Sequence, residues 1–479
     1  MGKKSLTCKG IRAGVFQDLA AMGGLKSRLP LAIISIPLAA FKFGRTFSRD
    51  SGQCAGPESV MLKPRRNFIL KKLTCLFTLS CFISFPAMAD YASNGAPFQT
   101  LSQALDASGI SLTGYVDAAY SDINSTGLFV NSAAGPVVGG AAGNTHIFDA
   151  AGATQGRNYS AFNMQQFALI LARQPKEGFG GYVNMTAGQD AATIASMGFG
   201  APGSVNDGSH NADLTQAYGS YAQGGLTVIA GKFATLAGEE LITSPSNFNY
   251  THSWMFGWGP YTHTGVRATY AVNGMVTLVA GVNNGFDQVS SGTGGKTGEF
   301  AIDVAPDSMF SLNTSYYRGK GMMSAMPGTG SYLDMIGTVN ATSRLTLVAD
   351  YANARQDDAL LTGSGTLQGS NILNGQILPA NTTVNAKWHA LALYANYRID
   401  DQWRVAYRNE NFDDPQGFRS GISQRLMSNT LTLGFVPVRN TELRAEIRQD
   451  RSSGDYFLNA DGAGKSTQMT YAMEALYQF

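Results

Sequence analysis

Residues able to perform acid–base or nucleophilic chemistry are few in this sequence, and they have no catalytic spacing. The histidines form neither a His-Glu-x-x-His motif nor a His-x-x-x-His pair. A Gly-x-Ser-x-Gly motif, which would expose a nucleophilic serine on a sharp turn, is also absent. The five histidines are His146, His210, His252, His263 and His389. We therefore expect a protein that is not an enzyme and has no catalytic residue, metal or cofactor.

Two weaker sets of polar residues leave alternatives open. His252 and His263 lie in one predicted loop and could meet a metal with a neighbouring glutamate, although loop histidines more often form surface hydrogen bonds. His389 follows Trp388 and could join Asp350 or Asp358 in an enzyme site at the rim of a membrane protein. Long loops could alternatively serve an adhesin or a receptor.

Charged residues instead alternate with apolar ones in two segments near the C-terminus. In residues 403–412 the charges alternate with Trp403, Val405 and Tyr407, and in residues 441–451 with Leu443 and its alternate neighbours. Successive side chains of a strand point to opposite faces. If these segments are strands that cross a membrane, an Arg or Lys that faces lipid at the midplane costs roughly 2–4 kcal/mol. The charged face must then point away from the lipid, into the lumen of a barrel. The predicted pore-lining residues are Arg404, Arg408, Glu410, Glu442, Arg444, Glu446 and Arg448. The alternative is that these charges pair into a plug that conducts nothing.

The elements that must position these rows are strands of a transmembrane barrel. Sixteen segments with period-2 alternation are bounded by turn residues, from 111–121 to 468–479. Their connections alternate between long and short, as in bacterial barrels with long extracellular loops and short periplasmic turns. The fold class is therefore all-β, a transmembrane antiparallel up-and-down barrel of about sixteen strands over residues 111–479.

The final strand carries a further signal. Tyr477 and Phe479 resemble the C-terminal aromatic signature that the barrel assembly machinery recognises in outer-membrane proteins. We also expect aromatic girdles at the membrane interfaces. The residues assigned to girdles or to lipid-facing rows are Trp388, Trp403, Tyr397, Tyr407, Tyr471 and Tyr477.

Composition agrees with a barrel. Charged residues make up 14% of the chain, whereas soluble proteins carry about 25%. The sequence has no run of about 18 consecutive apolar residues, the length that a membrane-spanning helix needs.

The N-terminal region reads as processed sequence. Residues 61–89 have a basic start, an apolar stretch and Ala87-Met88-Ala89 before Asp90, which predicts a signal peptide. Residues 1–60 are interpreted as a non-native extension from an over-early start, and residues 90–110 as a periplasmic lead-in. All four cysteines precede Asp90. The remaining chain has 21 basic and 30 acidic residues, a net charge of −9, which argues against a nucleic-acid partner.

Residues 231–287 resemble a known family. The residues that carry the resemblance are Gly231-Lys232-Phe233, Glu239-Glu240, Ser244-Pro245, Asn247, Asn249-Tyr250, His263-Thr264-Gly265-Val266-Arg267, Tyr270 and Gly281-Val282-Asn283-Asn284-Gly285-Phe286-Asp287. They are similar to the β-barrel porin-2 (OmpL-like) family, with Phe286 where a Trp is expected. The resemblance implies a porin in the outer membrane of a Gram-negative bacterium, which lets small hydrophilic solutes or ions diffuse passively.

Analogy with general porins adds three expectations. The third long loop, residues 234–263, would fold into the lumen and constrict it, with Glu239 and Glu240 opposing Arg404, Arg408, Arg444 and Arg448. Asn247, Asn249 and His252 are the other candidate residues of this constriction. The alternative is an external loop packed by its own Trp254 and Trp258. Porins of this size are usually homotrimers, and outer-membrane lipids and lipopolysaccharide would surround the barrel. Solute and ion selectivity do not follow from the sequence.

Overall fold

The computed structural model describes residue 105 and residues 108–479 apart from eleven gaps. The gaps are residues 125–127, 133–134, 140–158, 197–210, 292–293, 324–327, 362–371, 374–375, 378–381, 421–422 and 460–462. The predicted extension (1–60) and signal peptide (61–89) lie outside the described residues. Of the predicted lead-in at 90–110, only residue 105 and residues 108–110 are described.

Sixteen antiparallel strands close into one barrel, which confirms the predicted fold class. Each strand pairs with its neighbours in the chain, and the first strand pairs with the last. The strands are β1 (Ser111–Ile123), β2 (Tyr159–Arg173), β3 (Gly178–Ala187), β4 (Ala212–Gln223), β5 (Leu226–Ala234), β6 (Thr262–Ala271), β7 (Val276–Asn283), β8 (Thr297–Val304), β9 (Phe310–Lys320), β10 (Thr329–Asn340), β11 (Leu345–Leu361), β12 (Thr382–Arg398), β13 (Trp403–Asp414), β14 (Gln424–Phe435), β15 (Thr441–Ser452) and β16 (Thr467–Gln478).

The C-terminal residue completes the closure of the barrel. Phe479 donates its main-chain N–H to the carbonyl of Gly114 and accepts the N–H of Gly114, both at 2.9 Å. A Cβ on Gly114 would lie 2.5 Å from the Phe479 ring, so glycine is needed opposite this aromatic. The apolar row that includes Met473, Tyr477 and Phe479 faces outward, while Glu474 and its alternate neighbours face inward.

Short turns join the strands at one end, and side-chain oxygens hold several of them. Asn273 Oδ1 accepts the N–H groups of Met275 and Val276. Asp307 and Asp400 each accept two N–H groups in the same way, from the residues two and three positions later. Asn and Asp favour such turns because their short side chains reach their own backbone. Every connection at the opposite end is longer, as the alternation in the sequence predicts.

The loops at the long end contain small elements of their own. Helix α1 (Gln189–Ile194) follows β3, and a 3₁₀ turn (Ser244–Ser246) and helix α2 (Trp254–Trp258) lie between β5 and β6. Short strands from the first and last loops pair into a four-stranded sheet. Within the described residues, no helix is long and apolar enough to cross a membrane.

Candidate functional site

All seven predicted pore-lining residues lie on the inward faces of β13 and β15, but their exposure differs. Arg408, Glu410, Arg444, Glu446 and Arg448 are buried. Arg404 and Glu442 keep 15% of their side-chain surface exposed and form an ion pair. The interior row therefore has a covered part and a part that reaches solvent.

The covering segment is the loop between β5 and β6, residues 235–261, here named L3. It starts at β5 and reaches β13, which lies eight strands away in a ring of sixteen, on the opposite wall. On the way the main-chain N–H of Leu236 donates to Tyr317 Oη at 3.1 Å. The N–H groups of Gly238 and Glu239 donate to Asp334 and Asp350 at 2.9 and 2.6 Å.

Glu240 and Arg408 form the ion pair at the far wall. Glu240 also accepts the N–H and Oγ–H of Ser253, at 2.7 and 2.6 Å, and so ties together two parts of L3. Burial is the largest single influence on the pKa of Glu240 and raises it, but the Arg408 guanidinium, His252 and the Ser253 hydrogen bonds together outweigh burial and hold this pKa below its usual range. Arg408 also donates to the carbonyl of Thr251 at 2.5 Å.

Two more glutamates of the predicted row accept main-chain N–H groups of L3. Glu446 accepts the N–H groups of Tyr250 and Thr251 at 2.6 and 3.0 Å. Glu410 accepts those of Trp254 and Met255 at 2.8 and 2.7 Å. Hydrogen bonds from backbone N–H to a carboxylate are charge-assisted and stronger than neutral ones.

The two remaining buried arginines of the row donate to carbonyl oxygens of L3. Arg444 donates to Ser244 at 3.3 Å, and Arg448 donates to His252. Asn249 adds a bond to Thr432 on β14 at 2.7 Å. Main-chain groups of L3 are thus satisfied by strand side chains, which a segment inside a barrel requires.

The flank of L3 beside β1 and β2 is also hydrogen-bonded. Gln165 on β2 donates to Tyr250 Oη at 2.6 Å, and Gln166 donates to the carbonyl of Ile242 at 2.9 Å. Tyr250 packs against Ala119 of β1 and Ala472 of β16. L3 therefore lies across the barrel interior with contacts on several sides.

The predicted loop residues divide into two groups. Glu240 and Asn249 reach strand side chains directly, and Glu239 does so through its main-chain N–H. Asn247 instead holds the loop's own shape, because its Oδ1 accepts the N–H of Leu241 at 2.9 Å and its Nδ2 donates back to the Leu241 carbonyl at 2.6 Å. The ring of His252 also bonds that carbonyl, at 3.0 Å.

An aromatic wall that the sequence interpretation missed supports helix α2. Trp388 is 1% exposed and stacks on Phe412 with ring centroids 5.0 Å apart. Phe412 in turn meets Trp258 of L3 at 4.6 Å. The expectation that Trp388 belongs to a lipid-facing row is therefore wrong. The sequence did contain a signal for the inward orientation of Trp388. Ala390 and Ala392 lie on the same face of the strand as Trp388 and alternate with larger outward residues.

The alternative catalytic and metal sets are not assembled. His389 is 46% exposed on the outer wall, 3.6 Å from Asp413, whereas Asp350 is buried in the interior. His263 bonds the carbonyl of Gly285 at 3.1 Å and Thr235 at 3.2 Å. Among the residues that the structure describes, no group of three or more His, Cys, Asp or Glu side chains could hold a metal ion.

A closed sixteen-stranded barrel with an apolar outer wall, inward charges and a loop across its interior defines the class of outer-membrane channels. The sequence profile of one family, described as "Putative beta-barrel porin-2, OmpL-like", matches residues 109–479. The chain belongs to this family, and it is a porin of the Gram-negative outer membrane. A search of curated proteins gives no match to the sequence.

Solved structures of outer-membrane proteins are similar to this chain at low sequence identity. The channel DcaP of Acinetobacter baumannii is 14% identical, with a TM-score of 0.49, over 77% of this chain and 97% of that chain. OprB of Pseudomonas putida is 12% identical, with a TM-score of 0.49, over 80% and 97%. The anion-selective porin of Comamonas acidovorans is 12% identical, with a TM-score of 0.48, over 77% and 99%.

Proposed function

We propose that L3 constricts the water-filled channel and that the inward charges of β13 and β15 divide into two roles. The proposal rests on the observation that L3 extends from β5 to Arg408 on the opposite wall. Arg408, Glu410, Arg444, Glu446 and Arg448 anchor the loop. Solutes pass the exposed edge of the same loop.

The exposed edge of L3 supplies the channel lining in this proposal. Ser246 is exposed, and Phe248 is 41% exposed. The guanidinium of Arg404 lies over the Phe248 ring at 4.7 Å and also bonds Glu442. An aromatic ring beside an ion pair offers both an apolar and a polar contact to a small hydrophilic solute.

Fixed charge favours cations in the same channel. Salt bridges pair five interior arginines with carboxylates, namely Arg267, Arg404, Arg408, Arg444 and Arg448. Asp334, Asp350, Glu410 and Glu446 are four further carboxylates, and they accept main-chain N–H groups of L3. The buried side chains of the described residues include twelve Asp or Glu but five Lys or Arg, so we infer that the interior is net negative and favours cations.

A homotrimer completes the proposal, by analogy with general porins that have barrels of this size. Native mass spectrometry of the protein extracted in mild detergent tests it. A complex of three chains is expected, and a mass of one chain at all detergent concentrations overturns this part.

Cysteine labelling in planar bilayers tests the constriction. With Ser246→Cys, a bulky methanethiosulfonate reagent should lower the single-channel conductance, because the label enters the narrowest part. Ser308→Cys is the matched control, since Ser308 is exposed on a short turn outside the barrel. Equal effects of the reagent on both variants contradict the proposal.

A deletion gives a second test that needs no label. Removing residues 241–257 should raise the conductance, because the deleted segment fills part of the interior. Unchanged conductance of the folded deletion variant rules the constriction out.

A further inference from the structure

The outer wall of the barrel is not uniform around its circumference. On β2 the outward residues stay apolar from Leu171 at one end to Phe162, which is 82% exposed, at the other. These two residues are nine positions apart, roughly 20 Å along the membrane normal for a strand that rises ~3.3 Å per residue at a tilt of about 40°.

On β13 and β15 the outward apolar rows stop earlier, and on β14 Asn429 interrupts the row between Leu431 and Met427. On β13, Trp403, Val405 and Tyr407 face outward and are followed by Asn409. Asn409 is six positions after Trp403, or roughly 15 Å along the normal, and so lies inside the expected apolar band of about 25 Å. Its partner in the register is Asn429 on β14, whose own partner on β15 is Gln449.

These outward amides form a hydrogen-bonded row. Asn409 Nδ2 donates to Asn429 Oδ1 at 2.9 Å, and Tyr407 Oη donates to the same oxygen at 2.7 Å. Amides that face hydrocarbon are costly because lipid tails offer no hydrogen-bond partner. A ligand with its own polar groups at this depth would remove that cost.

A tier of cations lies beyond the amides, toward the long loops. Arg355 on β11 and Lys387 on β12 are directly paired in the register, and both are exposed. Neither has an ion-pair partner among the described residues. Like charges directly opposite each other destabilise a sheet, so an anion bound between them is favoured. Arg425 on β14 is also 61% exposed, 3.9 Å from Asp413.

The outer wall of β11 to β15 thus carries apolar side chains, then amides and then cations, with Met427 between the amide and the cation of β14. We propose that this wall binds the phosphorylated, multiply acylated glucosamine lipid of the outer leaflet, the lipid part of lipopolysaccharide. Its acyl chains lie against Leu393, Leu431 and Ile447, which are 40–47% exposed. Its amide linkages and hydroxyls bond Asn409, Asn429 and Gln449. Its phosphates bind Arg355, Lys387 and Arg425.

A lipid titration tests the site on the full mature chain, refolded without lipid in detergent. Native mass spectrometry measures binding of bisphosphorylated hexa-acyl lipid A, of the same lipid without phosphates, and of phosphatidylglycerol. The bisphosphorylated lipid should bind at least tenfold more tightly than either of the others, because several Lys and Arg side chains contact its phosphates. Equal affinity for all three lipids overturns the proposal.

Paired variants locate the binding. Arg355→Gln with Lys387→Gln should weaken lipid A binding at least tenfold. Arg318→Gln with Lys320→Gln is the matched control, because these exposed cations lie on β9, whose outward face has no such amide row. Equal losses in the two pairs overturn the assignment.

The amide tier provides a test that does not depend on charge. Asn409→Leu with Asn429→Leu makes the wall more apolar, which suits the membrane, yet it should weaken lipid A binding. Unchanged binding in this folded variant overturns the recognition of the sugar region. If the Arg355 and Lys387 changes instead dissociate an oligomer and leave lipid binding intact, the wall is an interface between copies of this chain and the proposal fails.

Discussion

Glu240 and Arg408 pair inside the barrel although 168 positions separate them in the chain. Glu240 belongs to L3 and Arg408 to the opposite wall, so this pair is one of the anchors that hold the loop across the interior. Both side chains are buried. Removing one of two buried ions leaves the other uncompensated, which costs more than removing both.

A double-mutant cycle tests this pair. Arg408→Met alone should destabilise the barrel by about 3–5 kcal/mol, and Arg408→Met with Glu240→Gln by less than the sum of the single changes. Urea unfolding in phosphatidylcholine vesicles measures the free energies. The exposed pair Arg425–Asp413 is the control, with a coupling of at most about 1 kcal/mol. Additive effects at Glu240 and Arg408 would show that the loop is held elsewhere.

The stability of the loop base should depend on pH through Asp287, which follows β7. Asp287 accepts the N–H groups of Tyr261 and Thr262 at 3.1 and 2.7 Å. Burial outweighs these bonds and the nearby Lys232 ammonium, and it raises the pKa of Asp287 to about 7.

The sign follows from the raised pKa. The folded state holds the proton up to about pH 7, whereas the unfolded chain releases it near pH 3.8. The contribution of Asp287 to the free energy of unfolding is therefore complete below pH 3.8 and is lost as the pH rises to 7. The total loss is up to roughly 4 kcal/mol. Thermal unfolding of wild type and Asp287→Asn between pH 4 and 8 measures it. Asparagine tolerates the positive φ of 51° at this position. Parallel pH profiles for the two proteins would refute the assignment.

Gly231 on β5 should be intolerant of any side chain. Its φ is 138°, and a Cβ there would lie 2.2 Å from the carbonyl oxygen of Ala217. Gly231→Ala should therefore cost about 2 kcal/mol or more. Gly219 on β4 is the control, since a Cβ added there would meet no atom within 4 Å, and Gly219→Ala should change stability by at most about 0.5 kcal/mol. Urea unfolding in vesicles compares them, and equal costs would contradict the steric explanation.

Ion selectivity should follow the exposed pair Arg404–Glu442. Wild-type channels should prefer cations, and Glu442→Gln should lower the cation-to-anion permeability ratio, because it leaves the positive charge of Arg404 uncompensated. Reversal potentials in a salt gradient at low ionic strength measure this, where screening is weak. Asp401→Asn removes the same charge on an exposed short turn and should change nothing. A shift toward cations in Glu442→Gln would overturn the proposed lining.

The sequence by itself determined which segments form the barrel wall and which face of each strand points to lipid. Alternation such as Leu443, Arg444, Ala445 and Glu446 assigns faces because the side-chain period of a strand is two and a charge facing lipid is costly. That argument needs only the residues of one segment at a time, so it can be made from the sequence alone. It predicted sixteen strands, and the closed barrel confirms them. The family resemblance at residues 231–287 likewise agrees with the profile match.

Only the tertiary structure decided what occupies the interior. Trp388 lies between Lys387 and His389, beyond the hydrocarbon-facing part of β12, where the surroundings outside the barrel are polar and alternation no longer places apolar residues outward. The course of L3 depends on hydrogen bonds between residues as far apart as Arg444 and Ser244, 200 positions away. No period within one segment encodes such a contact, because its energy appears only when the closed barrel brings the two walls together.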